Sequence, residues 1–219
     1  MTDTGAGEGA LLGGVALLER AVCYALGCLQ LVGIDMLTHV TPCPEWDLTA
    51  LLWHLDDALV AMLEGVTGRR IELGDAWGVL PPAGDPVGAV RSHARELIAG
   101  CSRAEHGRRT VEVGGLPVST ALVATTGAIE IAVHGWDVAQ SCGRHRPLPP
   151  PLATELLQLA PLFVTGPDRP GRFGAQVELP RGASPADRLV AFLGRNPHRA
   201  LVNRAGSWLC APLTLSHTG

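Results

Sequence analysis

The chain has 219 residues, 47% of them hydrophobic and 17% charged, enough for one sizeable core and well outside the composition of disordered chains. Its net charge is −4, and its 17 basic residues are all arginine and scattered, which excludes nucleic acid and anionic membranes as expected partners. The start, MTDTGAGEGA, lacks the basic segment and cleavage site of a secretory signal, so a cytoplasmic protein is expected.

The first predicted helix runs from about Gly9 to Val32, with Leu11, Val15, Leu18, Val22, Ala25, Leu29 and Val32 at three- and four-residue steps. Its apolar start, ALLGGVALL (10–18), stops at Glu19 and Arg20, short of the roughly 20 residues a membrane span needs. The GAGEG stretch follows no strand, so it is not a dinucleotide fingerprint. THVTPCPEWD (38–47) reads as a turn, because proline disfavours helix in the residue before it. Asp47 then suits an N-cap for a second helix, LTALLWHLDDALVAMLEG, whose Leu48, Leu51, Leu55, Leu59 and Met62 form an inward stripe ending near Gly65.

Residues 66–84 are rich in Gly and Pro and predict a long loop around Trp77. A third helix follows from about Pro86, with Val87, Val90, Ala94, Leu97 and Ile98 inward. RRTVEVGGLPVS (108–119) predicts a short strand or an extended connection, and a fourth helix runs from near Ser119 to about Cys142. After the proline-rich joint RPLPPP (146–151) come a fifth helix (153–163), a loop (165–183) and a short helix, SPADRLVAFLGR, with Pro185 in its first turn. Four substantial helices ahead of the joint predict an all-α protein: a four-helix bundle over 1–145, with a small helical C-terminal appendage over 146–219 packed on it.

The six cysteines, Cys23, Cys28, Cys43, Cys101, Cys142 and Cys210, form no C-x-x-C pair and read mostly as reduced, buried hydrophobes. Cys43 is expected to pack in its turn without an adjacent base. Trp46 and Trp136 are read first as packing residues, with a wall of the site as the second role. No G-x-S-x-G or H-E-x-x-H motif offers another chemistry.

The chemistry concentrates in the fourth helix, where AIEIAVHGWDVAQ (128–140) puts Glu130, His134 and Asp137 on one side at four- and three-residue spacing. A Glu/His pair at this spacing is commonly a solvated surface pair. Here Ile129, Ile131, Ala132, Val133, Trp136 and Val138 make the helix apolar on nearly every side, and a buried carboxylate is costly unless paired or bound to a metal. His54, beside the inward stripe of the second helix, supplies a third ligand type; His39 and His93 are alternatives if His54 points outward. Two imidazoles and a carboxylate suit zinc, and also Fe(II), Ni(II) or Mn(II), with positions left open for water or substrate. Asp137 is assigned either to accept a hydrogen bond behind the ligands or to act as the catalytic base beside the metal.

TPCPEWDLTALLWHL (41–55), EIAVHGWDVAQSCGR (130–144) and ASPADRLVAFLGRNP (183–197) resemble, in that order and spacing, the DinB-like metal-binding proteins of actinobacteria. Within these they are most similar to the group that includes the N-terminal domain of mycothiol-dependent maleylpyruvate isomerase. The resemblance covers nearly the whole chain and implies a four-helix bundle holding a divalent ion, commonly zinc, through His54, Glu130 and His134. It also implies mycothiol or a similar low-molecular-weight thiol as cosubstrate, for S-transfer or isomerisation of a small electrophilic metabolite. Two features depart from the isomerase. A much shorter segment follows the proline joint than its sheet-containing C-terminal domain, which leaves its substrate arginine unplaced, and Ala50 stands where an acidic residue is usual. Arg144 and Arg146 are candidates for steering an anionic substrate. The expected partner is a small molecule, with the chain a monomer or a homodimer. A metal-dependent hydrolase or cyclase without a thiol, and a metal-binding protein without turnover, stay open beside the first reading.

Overall fold

A computed structural model describes residues 4–67, 70–71, 84–104, 110–166, 169 and 173–199, with side chains from residue 13 onward. The described residues form six helices, α1 (Thr4–Leu29), α2 (Leu48–Val66), α3 (Pro86–Ala104), α4 (Thr120–Ser141), α5 (Pro150–Phe163) and α6 (Pro185–Phe192), with a 3-10 turn at Ile34–Met36. None is long and apolar enough to cross a membrane.

Local chemistry sets the helix ends. The Asp47 carboxylate accepts the Ala50 N–H at 2.9 Å and starts α2, and Ser184 does the same for the Asp187 N–H at 3.1 Å in α6. α5 begins at Pro150, ahead of the expected residue 153, because a proline in the first turn lacks only an N–H that the helix does not use. α1 ends at Leu29, before the expected Val32. Turn bonds from Leu31 N–H to Cys28 and from Val32 N–H to Leu29 prolong the helical spacing past the helix itself. α4 and α6 both close on a glycine at positive φ, Gly143 at 65° and Gly194 at 86°. In each the following arginine N–H reaches back, Arg144 to Ala139 O at 3.0 Å and Arg195 to Val190 O at 2.9 Å, a reversal that glycine accommodates best.

Close approaches between helices fix their directions. A Cβ on Gly14 would lie 2.8 Å from Ala121 O, and one on Gly135 3.1 Å from Ala25 Cα, so α1 and α4 run parallel. His93 lies against Asp56 and Gly100 beneath Leu63, so α2 and α3 also run parallel. Gly127 lies under Met62 and Glu130 beside His54, which sets α2 antiparallel to α4. The result is an up-down-down-up bundle in which α3 and α4 each pack against both α1 and α2. Parallel neighbours need a connection that returns the length of the bundle, which explains the long segment between Val66 and Pro86. The loop expected there around Trp77 falls largely outside the described residues.

The segment after the proline joint packs on the bundle: Leu152 and Leu156 of α5 and Leu189 of α6 share one hydrophobic cluster with Leu18, Leu55 and Ile131. An Arg20–Glu155 ion pair at 2.9 Å spans α1 and α5. Residues 200–219, with Cys210, lie outside the described residues. The expected strand is a hairpin, β1 (Thr110–Val113) and β2 (Leu116–Ser119), turned by Gly114 and Gly115, both at positive φ as a two-residue hairpin loop requires. It caps a satellite cluster of Ile71, Val111 and Val123.

The α1–α4 seam is tight at Gly135, where a Cβ would lie 3.1 Å from Ala25 Cα and 3.3 Å from the Tyr24 ring. Gly135→Leu is expected to cost about 1–3 kcal/mol through overpacking, read as a lower urea midpoint at unchanged slope.

Candidate metal centre

Because α1 and α4 run up and α2 down, the end of α1, the start of α2 and the end of α4 meet at one end of the bundle. There, His54 from the second turn of α2 faces Glu130 and His134 from successive turns of α4. His54 Nε2 lies 2.7 Å from Glu130 Oε1, and His134 Nε2 lies 3.0 Å from the same oxygen. The two imidazole rings stand edge to face, 4.9 Å apart and 82° between planes. The His134 side chain is 7% exposed, that of His54 24% and that of Glu130 36%, so the cluster opens to solvent over Glu130 and His54 and is closed behind His134.

The 38–47 turn forms one side of this cluster. Thr41, itself buried, ties the turn together: its hydroxyl lies 2.9 Å from both the Cys43 and the Trp46 carbonyls and accepts the Cys43 N–H at 3.0 Å. The indole of Trp46 consequently packs 4.6 Å from the His54 ring and 6.0 Å from that of His134. Trp46 thus packs as expected, but against the two histidines; Trp136 belongs to the main core.

Behind His134 lies a second layer. Asp137 is fully buried, and its Oδ2 accepts from His134 Nδ1 at 3.0 Å and from Arg195 Nη2 at 2.9 Å. The Cys43 thiol is 3.7 Å from the same Oδ2 and 3.5 Å from Arg195 Nη2. Cys43 therefore does more than fill its turn, since it touches a buried carboxylate and a buried guanidinium. Cys28, Cys101 and Cys142 fit the expectation of inert core thiols, burial pushing each up to about 11, whereas Cys23 is exposed.

The other candidates lie apart. His39 Nδ1 donates to the Ser141 carbonyl at 2.9 Å, and His93 Nδ1 pairs with Asp56 at 2.7 Å across α2 and α3. Arg144 and Arg146 are exposed beyond the end of α4, with the Arg146 guanidinium lying over Gly27 of α1. A cavity of about 480 Å³ beside α6, lined by Leu157, Val177, Arg188 and Phe192 among others, shares no residue with the cluster.

The electrostatics couple the carboxylates to their cationic neighbours. Burial opposes charge on Glu130, but His134 and His54 outweigh it and hold the carboxyl well below the usual range. Burial likewise opposes charge on His134, yet Glu130 and Asp137 raise it well above the usual imidazole range. For Asp137 burial is again overcome, by Arg195 and His134, and its pKa is lowered. The same close contacts, His134 Nε2 and His54 Nε2 on Glu130 Oε1, thus favour a charged carboxylate facing the two imidazoles.

Among the described residues two groups bring metal-ligating atoms within 4.8 Å of one another: His54, Glu130 and His134, and Cys43, His134 and Asp137. The second already holds the Arg195 guanidinium as its cation. The first fits a divalent ion, offering two imidazole nitrogens and one carboxylate oxygen with one open side. The opposite nitrogen of His134 is held by a carboxylate, the arrangement that orients a metal-ligating histidine.

Residues 25–139 match the family described as the mycothiol maleylpyruvate isomerase N-terminal domain. Two uncharacterized proteins of Mycobacterium tuberculosis, from strains CDC 1551 and H37Rv, are each 31% identical to the chain over 189 residues, covering 81% of it and 94% of their own length. No solved structure matches the chain at a significant level.

Proposed function

Since the chain belongs to the family of the mycothiol maleylpyruvate isomerase N-terminal domain, we propose that it is a divalent-metal-dependent enzyme that uses a low-molecular-weight thiol of the mycothiol kind. Its reaction is S-transfer to, or isomerisation of, a small electrophilic metabolite. The observation that carries this reading is the convergence of His54 Nε2, Glu130 Oε1 and His134 Nε2 on one partly open point, with His134 Nδ1 already held by Asp137. These three side chains would hold the ion, zinc being the first candidate for such a donor set. A bound divalent cation would supply the positive charge that keeps a cofactor thiol as its nucleophilic thiolate at neutral pH.

The chain's own residues do the rest. Trp46 packs at a tilt against both imidazoles, 42° from that of His54 and 41° from that of His134, and the cluster stays open over Glu130 and His54. Of the two roles open to Asp137, burial and three close neighbours favour the acceptor that orients His134 over a proton-transferring base.

Metal analysis followed by thiol titration tests the proposal. About one divalent ion per chain, with mycothiol binding by calorimetry that disappears when the metal is stripped, is the expected result. Metal without thiol affinity would replace it with the thiol-free hydrolase or cyclase, and absence of metal affinity would overturn it.

A further inference from the structure

We infer that Arg195, in the C-terminal segment, is a positioning residue of the metal centre: acting through Asp137, it sets His134 for coordination. The inference rests on the metal reading above. It makes the segment beyond the family match at 25–139 part of the centre.

The need for such a residue follows from α4. Asp137 is 0% exposed in a helix whose surrounding residues are apolar, and a buried carboxylate without a cationic partner is costly. α4 contains no lysine or arginine. Arg195 supplies the cation from the far end of the sequence, with Nη2 on Oδ2 at 2.9 Å and Nε toward Oδ1 at 3.4 Å. A two-point guanidinium contact fixes the plane of a carboxylate as well as its charge. The guanidinium is itself anchored, because Nη1 donates to the Leu193 carbonyl at 2.9 Å. The oxygen so pinned, Oδ2, is the one that accepts from His134 Nδ1 at 3.0 Å. With Nδ1 engaged there, His134 presents Nε2 toward Glu130 and His54.

Delivery of Arg195 is also built in. Gly194 closes α6 at φ 86°, and a Cβ on it would lie 2.7 Å from Gly174 Cα, so the backbone reversal that turns Arg195 inward has room only for glycine. A buried ion pair that merely fastens α6 to the bundle would account for the 2.9 Å contact but would leave metal affinity alone. The shared oxygen couples the two.

Zinc affinity of the full chain, measured by competition with a chromophoric chelator, distinguishes the two, with thermal melting run alongside. Arg195→Met is expected to weaken zinc binding about tenfold or more, as when a partner behind a ligand is lost. Arg195→Lys should recover part of this, since it restores the charge without the fork. In an Asp137→Asn background, Arg195→Met should weaken binding no further, because its effect runs through that carboxylate. If Arg195→Met does not fold, weaker binding by Arg195→Lys than by wild type, together with the Asp137→Asn pair, decides the matter. Wild-type affinity in the Arg195 variants, or an equal loss with and without the Asp137 carboxylate, would overturn the inference alone. Failure of the wild-type chain to bind zinc would overturn the metal reading and this inference with it.

Discussion

Zinc affinity is expected to fall by at least about a hundredfold in His134→Ala, more than the loss from any single change behind the ligands. His134 is the one residue common to both layers: its Nε2 faces Glu130 and its Nδ1 binds Asp137. Alanine therefore removes a proposed ligand and also leaves Asp137 without one of its hydrogen bonds. His54→Ala removes a proposed ligand only, from a more exposed position, and should weaken binding with less effect on folding. Because an ion held by His54, Glu130 and His134 would tie α2 to α4, wild-type protein should melt higher with zinc than without it, and the increment should vanish in His134→Ala. Dialysis against buffered zinc followed by elemental analysis and melting checks both statements; unchanged zinc content in His134→Ala would remove His134 from the site.

Much of this site was legible in the sequence because its chemistry is local. Glu130, His134 and Asp137 sit one turn apart on a helix otherwise apolar, which buries His134 and Asp137 and leaves Glu130 at the open edge, and His54 borders the leucine stripe of α2. The Asp47 cap is an equally local signal. Cys43 and Arg195 were not legible, since they lie 94 and 58 residues from Asp137 and no periodicity joins them to it. One sign did exist: a second carboxylate in an apolar helix that holds no lysine or arginine calls for a cation from elsewhere. Nothing in the spacing selects which of 17 arginines answers it, although the Gly-Arg pair closing α6 marks a place where the chain turns back on itself. The helix directions were hidden for a related reason. Apolar stripes show that helices pack, whereas the parallel pairs α1–α4 and α2–α3 follow from which small residues meet, as Gly14 meets Ala121 and Gly135 meets Ala25.

Metal binding should also be strongly pH-dependent, with His134 setting the profile. Burial disfavours its charged form, but Glu130 and Asp137 prevail and raise its pKa well above the usual range. Its contribution to the stability of the metal-free chain is fully present below the unfolded pKa of about 6.5 and is lost as pH rises through the higher folded value. Glu130 and Asp137, lowered against the cost of burial by the histidines and by Arg195, contribute above their unfolded values near about 4 and lose that contribution as pH falls through the lower folded ones. Coordination through Nε2 requires that ring to give up a proton. Apparent zinc affinity should accordingly rise about tenfold per pH unit until the folded pKa of His134 is passed, and then level off. Over the same range the metal-free chain loses the stabilisation owed to the charged ring, so the gap in melting temperature between zinc-loaded and metal-free protein should widen with pH. Competition titrations and paired melts from weakly acidic to weakly alkaline buffer test this. An affinity flat across that range would show that no proton leaves His134 when zinc binds, and would overturn its assignment as the group that sets the profile.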